Sequence, residues 1–416
     1  MGKNKKAGVY IDLFSGCGGF SLGLGNAGWK GLFAVEKDAM AFDTFKHNLI
    51  DGVHRHFDWP EWLPQKATTI QSLLSKYPKE LASLRGAIDL IAGGPPCQGF
   101  SMAGRRKSTD PRNKLSEQYL SMVDLIQPKY VVLENVRGFN SAFSSGGSKQ
   151  AYSMIVKARL DKLGYDVYHD YVHCEQFGVP QARTRFLMLG IRRGQLTNAE
   201  VAPFEMLTKI RESFLLDKGL PNKPISVRQA ISDLAITRKG AKVIHHSGTD
   251  GKGFKKLDYR RPPGKSNAYQ KLMNRGLNGA QPNSLRLARH KPDTIKQFIK
   301  IKSNSRAGVV LSLSEKEALG IKKQAICVLH PDKPSKTLTT LPDDLLHYSE
   351  PRILTVRESA RIQSFPDNFV FKGKYTTGGA MRTKECPRYT QVGNAVPPLL
   401  GEAIGSMIMK LAKSSK

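Results

Sequence analysis

Through the first 190 residues, short β-rich apolar runs alternate with stretches whose apolar residues recur every three or four positions, the pattern of a doubly wound, mostly parallel sheet. The spacing predicts strands over residues 9–14, 32–36, 88–93 and 130–134 and helices over 20–27, 39–48, 117–126 and 151–163. One connection, about residues 59–84, is extended. Residues 99–115 are too polar and glycine-rich for a core element and read as a mobile surface loop. After Gly190 the alternation fades. Helical periodicity returns beyond Ser335, over 355–363 and 398–411, so the chain is expected to re-enter its first domain. At 416 residues it exceeds what one core usually organises. The expected division is a first α/β domain over 1–195, a second and smaller domain over 196–327, and a return segment over 328–416.

Charge narrows the partners. The net charge of +30 concentrates polyanions around the protein, which points to nucleic acid. Residues 191–330 carry 28 Lys and Arg against 10 Asp and Glu, so a third of the chain supplies more than half of the surplus. No apolar stretch approaches the length of a membrane span, and the basic N-terminus runs straight into a motif with no leader-like apolar core. No membrane partner and a cytoplasmic, nucleoid-associated location are therefore expected. The five cysteines, Cys17, Cys97, Cys174, Cys327 and Cys386, form no Cys-x-x-Cys pair and no zinc spacing, so reduced thiols and no metal are expected.

Residues 12–20, D-L-F-S-G-C-G-G-F, follow the first predicted strand and open a helix, where a doubly wound sheet binds nucleotides. Glu36 ends the second strand, placed to accept from ribose hydroxyls. These features alone do not separate a nicotinamide cofactor from S-adenosylmethionine. Ser21 stands where the dinucleotide fingerprint has its third glycine, which argues against the former.

Residues 93–101, G-G-P-P-C-Q-G-F-S, lie at the end of a later strand. Two prolines fix the backbone before Cys97, and flanking glycines let a planar substrate approach, so this thiol is presented for reaction. The other four cysteines read as buried structural thiols. At the next strand end stands Glu134, in E-N-V-R-G. Further on, Q-A-R-T-R alternates so that Gln181, Arg183 and Arg185 would share one face of a strand, where two arginines need carboxylate or phosphate partners.

In this order, F-x-G-x-G-G, the second-strand acid, P-P-C-Q-x-F-S, E-N-V, Q-x-R-x-R and a late Q-V-G-N-A-V at 391–396 resemble the C5-cytosine DNA methyltransferase family of bacterial type, across residues 9–190 and 335–412. The resemblance implies a Rossmann-like methyltransferase fold with a target-recognition domain over 196–327. It also implies S-adenosylmethionine as methyl donor and S-adenosylhomocysteine as product. Cys97 would add to cytosine C6 and make C5 nucleophilic. Glu134 would hold N3 and the amino group, with a pKa raised by burial. Arg185 would orient Glu134 or the base carbonyl, and Arg183 would position the phosphate or the base. For the cofactor it implies Phe14, Gly16, Gly18, Gly19, Glu36, Pro96, Leu115, Asn394 and Ala395, with Asp58 at the adenine amine. Lys37 replaces the aromatic residue that some members stack on adenine.

Double-stranded DNA is the implied partner, with the target base rotated out of the stack. The loop over 99–115 would close upon it, so Gln98, Ser101, Arg105 and Arg106 are DNA-contact candidates. In the recognition domain Arg260, Arg261, Arg275, Arg286 and Arg289 are candidates for phosphate or base contacts. By analogy the enzyme is expected to be a monomer, either solitary or paired with a restriction endonuclease acting on the same site. Two alternatives stand beside this reading. A tRNA cytosine methyltransferase shares nearly the same catalytic residues, but such relatives usually carry Thr where this chain has Ser101. A catalytically silent DNA-binding relative has no chemical reason to keep Cys97, Glu134, Arg183 and Arg185.

Overall fold

The computed structural model describes residues 8–96, 113–141, 151–195, 202–245, 253–260, 266–379, 381 and 384–414. The chain forms two compact units: Met1–His173, Thr184–Arg211 and Leu400–Lys416 make the first, and Cys174–Arg183 with Glu212–Leu399 the second.

The first unit is the doubly wound sheet. Its strands are β1 (Val9–Leu13), β2 (Lys30–Val35), β3 (Leu90–Gly93), β4 (Tyr130–Asn135), β5 (Tyr165–His173) and β6 (Thr184–Arg192), in the spatial order β2-β1-β3-β4-β6-β5. β1 to β4 pair in parallel, and β6 runs antiparallel to both β4 and β5. The first four strands stand within two residues of their predicted positions. β5 escaped prediction because, as an edge strand with polar, exposed residues at most positions, it lacks the apolar run that marks its neighbours.

The helices are α1 (Gly19–Asn26), α2 (Ala39–Phe45), α3 (Ile70–Lys76), α4 (Pro78–Ser83), α5 (Asn113–Ile126) and α6 (Tyr152–Lys162). α2 starts because the Asp38 carboxylate accepts the Ala41 amide at 2.9 Å, a cap typically worth about 1 kcal/mol. Its predicted last turn is instead a π-turn over Lys46–Ile50. The extended connection holds α3 and α4, and its Trp62 packs edge-on to Phe33 of β2 at 5.8 Å. α5 begins at Asn113, so the end of the stretch read as a loop is helix; residues 97–112 lie outside the described ones. Leu13, Phe33, Ile91 and Leu133 from the strands are sealed in one core with Val123, Phe139 and Leu160.

The second unit follows through α7 (Pro203–Asp217), which runs across the division. It holds α8 (Val227–Ile231), an antiparallel pair β7 (Lys242–His245) and β8 (Lys255–Asp258), α9 (Ala268–Met273), α10 (Pro292–Asn304), α11 (Leu313–Ala318), a parallel pair β9 (Cys327–Val328) and β10 (Leu345–Leu346), α12 (Val356–Ile362) and α13 (Arg388–Asn394). Two small apolar clusters, around Phe298 and Leu346 and around Leu257 and Tyr259, share the interior with ionic groups. Arg361 is fully buried between Asp233 at 3.0 Å and Asp367 at 2.6 Å. Arg352 lies between Glu350 at 2.6 Å and Glu358 at 2.7 Å. Such pairs add little net stability, but losing one partner strands a charge in the interior.

The last helix, α14 (Pro398–Ser414), returns the chain to the first unit. A Cβ at Gly405 would come within 2.9 Å of Ala27, and the Gly405 carbonyl accepts the Trp29 indole N–H at 3.0 Å. The absence of a side chain lets the helix backbone lie directly on α1 and the start of β2.

Candidate active site

Ligands of a doubly wound sheet bind at the carboxyl edge of its parallel strands, and Glu134 stands on that edge in β4. In the antiparallel ladder it pairs with Leu187, and Arg185 is two residues along the same strand, hence on the same face. Arg185 Nε lies 2.5 Å from Glu134 Oε1, and the two side chains are 9% and 12% exposed. Burial pushes the Glu134 carboxyl above its ordinary value, and the Arg185 charge pulls against that shift. The two effects compete at a carboxyl that the ion pair holds in place.

The neighbouring strand brings the cysteine motif to this pair. Gly93 pairs with Leu133, so Gly94 comes beside Glu134, and a Cβ on Gly94 would sit 3.1 Å from Glu134 Oε2. Asn135 Nδ2 donates to the Pro95 carbonyl at 3.2 Å, fixing the proline turn to β4. Asn135 was not singled out in the sequence, although its place in E-N-V beside the acid was the available signal. Pro96 is exposed at this edge. Cys97, Gln98, Ser101, Arg105 and Arg106 lie outside the described residues.

The arginines of Q-x-R-x-R divide. β6 starts at Thr184, so only Arg185 is on the strand. Gln181 and Arg183 belong to the second unit, and the single strand face expected for all three is not formed, because Gln181 pairs there with Gln363 and accepts the Leu338 amide at 2.9 Å. The Arg183 guanidinium, 3% exposed, donates to the carbonyls of Leu338 and Gly393, each at 3.2 Å. It ties three chain segments together by backbone contacts.

The glycine loop has the shape of a ligand cradle. Phe14, Gly16 and Gly18 have φ of 60°, 56° and 95°, and the left-handed form costs a non-glycine residue about 1–2 kcal/mol. Such strain at Phe14 persists where function requires the conformation. The loop is fixed to Glu36, whose Oε2 accepts the Gly16 amide at 2.9 Å and whose Oε1 accepts the Asp38 amide at 2.7 Å. A carboxylate has about four acceptor sites, so two remain for hydroxyls. Burial raises the Glu36 pKa and these two amides oppose the rise. A Cβ on Gly16 would meet nothing within 4 Å, and the buried Ser15 Oγ has no hydrogen-bond partner among the described residues. An open cradle with an orphaned hydroxyl and a carboxylate fits the ribose and chain of a nucleoside cofactor.

Behind the loop, Ser21 Oγ donates to the buried Asp12 Oδ2 at 2.5 Å. The residue standing in place of the third glycine thus locks α1 to β1, a role the sequence reading did not assign. Gly19 opens α1 and Leu115 is in the first turn of α5, half-buried. Asn394 ends α13 exposed and Ala395 follows it buried, both in the second unit.

Asp58 requires correction as an adenine contact. Its amide donates to Gly31 at the amino end of β2, and its exposed carboxylate is 3.8 Å from Lys30. Glu36 follows the other end of that strand, about five residues or roughly 16 Å away. The segment that does reach Glu36 is the start of α3, where the Thr68 amide donates to the Glu36 carbonyl at 2.7 Å.

Among the recognition candidates, Arg286 is held 4.0 Å and 3.6 Å from the ring centres of Phe254 and Tyr375, a cation–π sandwich. Arg289 lies 5.6 Å from the Phe254 ring and is exposed, as are Arg260, which pairs with Asp258, and Arg275. Arg261 is outside the described residues. Cys17, Cys174 and Cys327 are buried and in no disulfide, the Cys17 thiol being pushed up to about 12 by burial, while Cys386 is half-buried.

A mostly parallel α/β sheet with a glycine cradle after its first strand and a sealed acid at the end of its fourth defines a Rossmann-like methyltransferase. The sequence signature of the C-5 cytosine-specific DNA methylase family matches residues 9–410. The Type II methyltransferase M.DdeI of Desulfomicrobium norvegicum is 32% identical over 411 residues, 96% of this chain and 88% of that protein. M1.HphI of Haemophilus parahaemolyticus is 31% identical over 413 residues, 97% and 87% respectively. The fold is shared with a prophage-encoded E. coli protein, with TM-score 0.64 at 22% identity over 98% of this chain and 100% of that one. It is also shared with the S. pombe Dnmt2 methyltransferase, with TM-score 0.54 at 14% identity over 97% and 98%. The chain belongs to the C-5 cytosine-specific DNA methylase family. It is a DNA (cytosine-5)-methyltransferase.

Proposed function

We propose that the enzyme methylates C5 of a cytosine rotated out of duplex DNA, within one short sequence, through a covalent adduct at Cys97. The sealed Glu134–Arg185 pair, with Gly94 against its carboxylate, is the observation that carries this reading. Phe14, Gly16, Gly18, Gly19 and Glu36 would hold S-adenosylmethionine, with Pro96 and Leu115 beside it. The cofactor supplies an electrophilic methyl group on a sulfonium. Cys97, ordinarily ionised only above about pH 8.5, attacks C6 as the thiolate and converts C5 into an enamine-like carbon. Glu134 in its acid form, which burial favours and Arg185 opposes, donates to N3 as charge develops there, and its carbonyl oxygen accepts from the exocyclic amine. Arg185 holds the carboxyl in that orientation. Loss of the C5 proton after transfer expels the Cys97 thiolate and restores the aromatic ring. Unstacking the base costs about a few kcal/mol, which phosphate contacts offset. The basic stretch over 196–327 would read the target, with the enzyme acting as a monomer, either solitary or paired with an endonuclease of the same specificity.

The test is to incubate the protein with S-adenosylmethionine and mixed-sequence duplex DNA and map 5-methylcytosine at base resolution, with Cys97→Ser in parallel. Methylation at one short motif, abolished by the substitution, is expected. A folded, cofactor-binding protein that leaves DNA unmodified overturns the reading and directs the assay to RNA.

A further inference from the structure

We infer that Arg137 is a DNA-phosphate contact at the lip of the base pocket, pre-set by the face of Tyr171; this rests on the reading of the site as one for a rotated-out base. A nucleotide swung into a pocket brings its own phosphates to the pocket's rim, where a cation gains affinity by neutralising them. Arg185 is taken up by Glu134, and Arg183 directs its donors to the carbonyls of Leu338 and Gly393. Arg137 follows Glu134 by three residues, begins a 3-10 turn over Arg137–Asn140, and is exposed. Among the described residues no carboxylate lies within ion-pair distance of it, and its guanidinium carbon rests 5.6 Å from the Tyr171 ring centre.

The support under it is built. Phe139 is fully buried and pins the turn into the core. The Tyr171 hydroxyl accepts from Asn140 Nδ2 at 3.2 Å, Asn140 Oδ1 accepts from Ser153 at 2.5 Å, and the Tyr171 ring stands edge-on to Phe186 at 5.9 Å. Tyr171, Phe186 and Asn135 form one row across the sheet, next to the row of Glu134 and on its opposite face. Arg137 therefore sits at the carboxyl edge but outside the pocket, where it can meet a backbone phosphate and not the ring that Glu134 holds. An arginine laid on an aromatic face retains its donors for a phosphate while losing much of its freedom in advance.

The experiment measures duplex affinity across a salt series, using DNA that carries the site mapped for the unaltered enzyme, for wild type, Arg137→Ala and Arg137→Lys. For Arg137→Ala the slope of log affinity against log salt should flatten by about 0.9 and the KM for DNA should rise on the order of tenfold, with kcat and cofactor affinity unchanged. Arg137→Lys should recover the slope. An unchanged slope and KM in Arg137→Ala, with wild type binding normally, overturns this assignment alone. A wild-type protein without salt-dependent binding overturns the DNA reading as well.

Discussion

Arg185 and Glu134 meet at 2.5 Å in a place almost closed to solvent, on adjacent antiparallel strands. Burial raises the Glu134 pKa and Arg185 lowers it, so the two effects set where the acid loses its proton. Replacing Arg185 with Gln should raise that pKa further and shift the high-pH fall of kcat upward, while kcat itself drops through misorientation. Glu134→Gln keeps a donor and an acceptor but cannot pass a proton, and kcat should fall about 10²–10⁴-fold with DNA affinity kept. A pH–rate profile under saturating substrates checks both. Identical alkaline limbs for wild type and Arg185→Gln would remove Glu134 as the titrating group.

Gly94 presses on the same carboxylate. With a Cβ 3.1 Å from Glu134 Oε2, Gly94→Ala should displace the acid by a few tenths of an ångström and lower kcat on the order of tenfold or more. Thermal unfolding should move little, because the carboxylate can give where a backbone could not. A large loss of stability with unimpaired kcat would refute this account of the glycine.

In the cofactor loop two glycines should behave differently. Gly18 has φ 95°, and a Cβ there would stand 2.4 Å from Leu49 and 2.9 Å from Phe45, so Gly18→Ala should destabilise the fold by about 2–4 kcal/mol. Gly16, with φ 56° and open space beside it, should cost only the conformational term of about 1–2 kcal/mol. Its alanine variant should fold but bind S-adenosylmethionine on the order of tenfold more weakly. Calorimetric unfolding and cofactor titration separate the two, and equal stability losses would contradict the packing described.

Acid sensitivity should come partly from His347. It is fully buried, its Nδ1 accepts the amides of Glu350 at 3.1 Å and Ser349 at 3.2 Å, and burial pushes its pKa down to about 4. A folded pKa below the unfolded value of about 6.5 means the unfolded chain binds the extra proton, so stability falls as pH drops from about 6.5 to 4, by about 3 kcal/mol. His347→Gln, whose carbonyl can still accept those amides, should flatten that decline in urea unfolding. The same pH slope in both proteins would show that other groups carry it.

The parallel strands and the helices between them were legible because burial on both faces imposes apolar runs with sharp ends. β5 was not, since an exposed edge strand carries no such run. The family resemblance implied that Arg185 orients Glu134 or the base carbonyl, and the register of β4 against β6 selects Glu134, because Arg185 stands two residues from the strand partner of that acid. Arg183 looked like its partner two positions away, yet the strand begins after it, and spacing alone cannot locate a strand's first residue. Asp58 was misplaced for a related reason: counting from Glu36 along the chain says nothing about which end of β2 the intervening segment returns to. Ser21 was noticed as a missing glycine, whereas its bond to Asp12 gives the position its own purpose.

The bond between Trp29 and the Gly405 carbonyl spans 376 residues. A ribosome that has made the glycine cradle, the acid and the whole basic stretch has still not made the helix that closes the first unit. The six strands are all made by Arg192, yet α1 and Trp29 wait more than 200 residues for the helix that covers them, so chains truncated before Pro398 should leave that face of the first unit bare and lose stability.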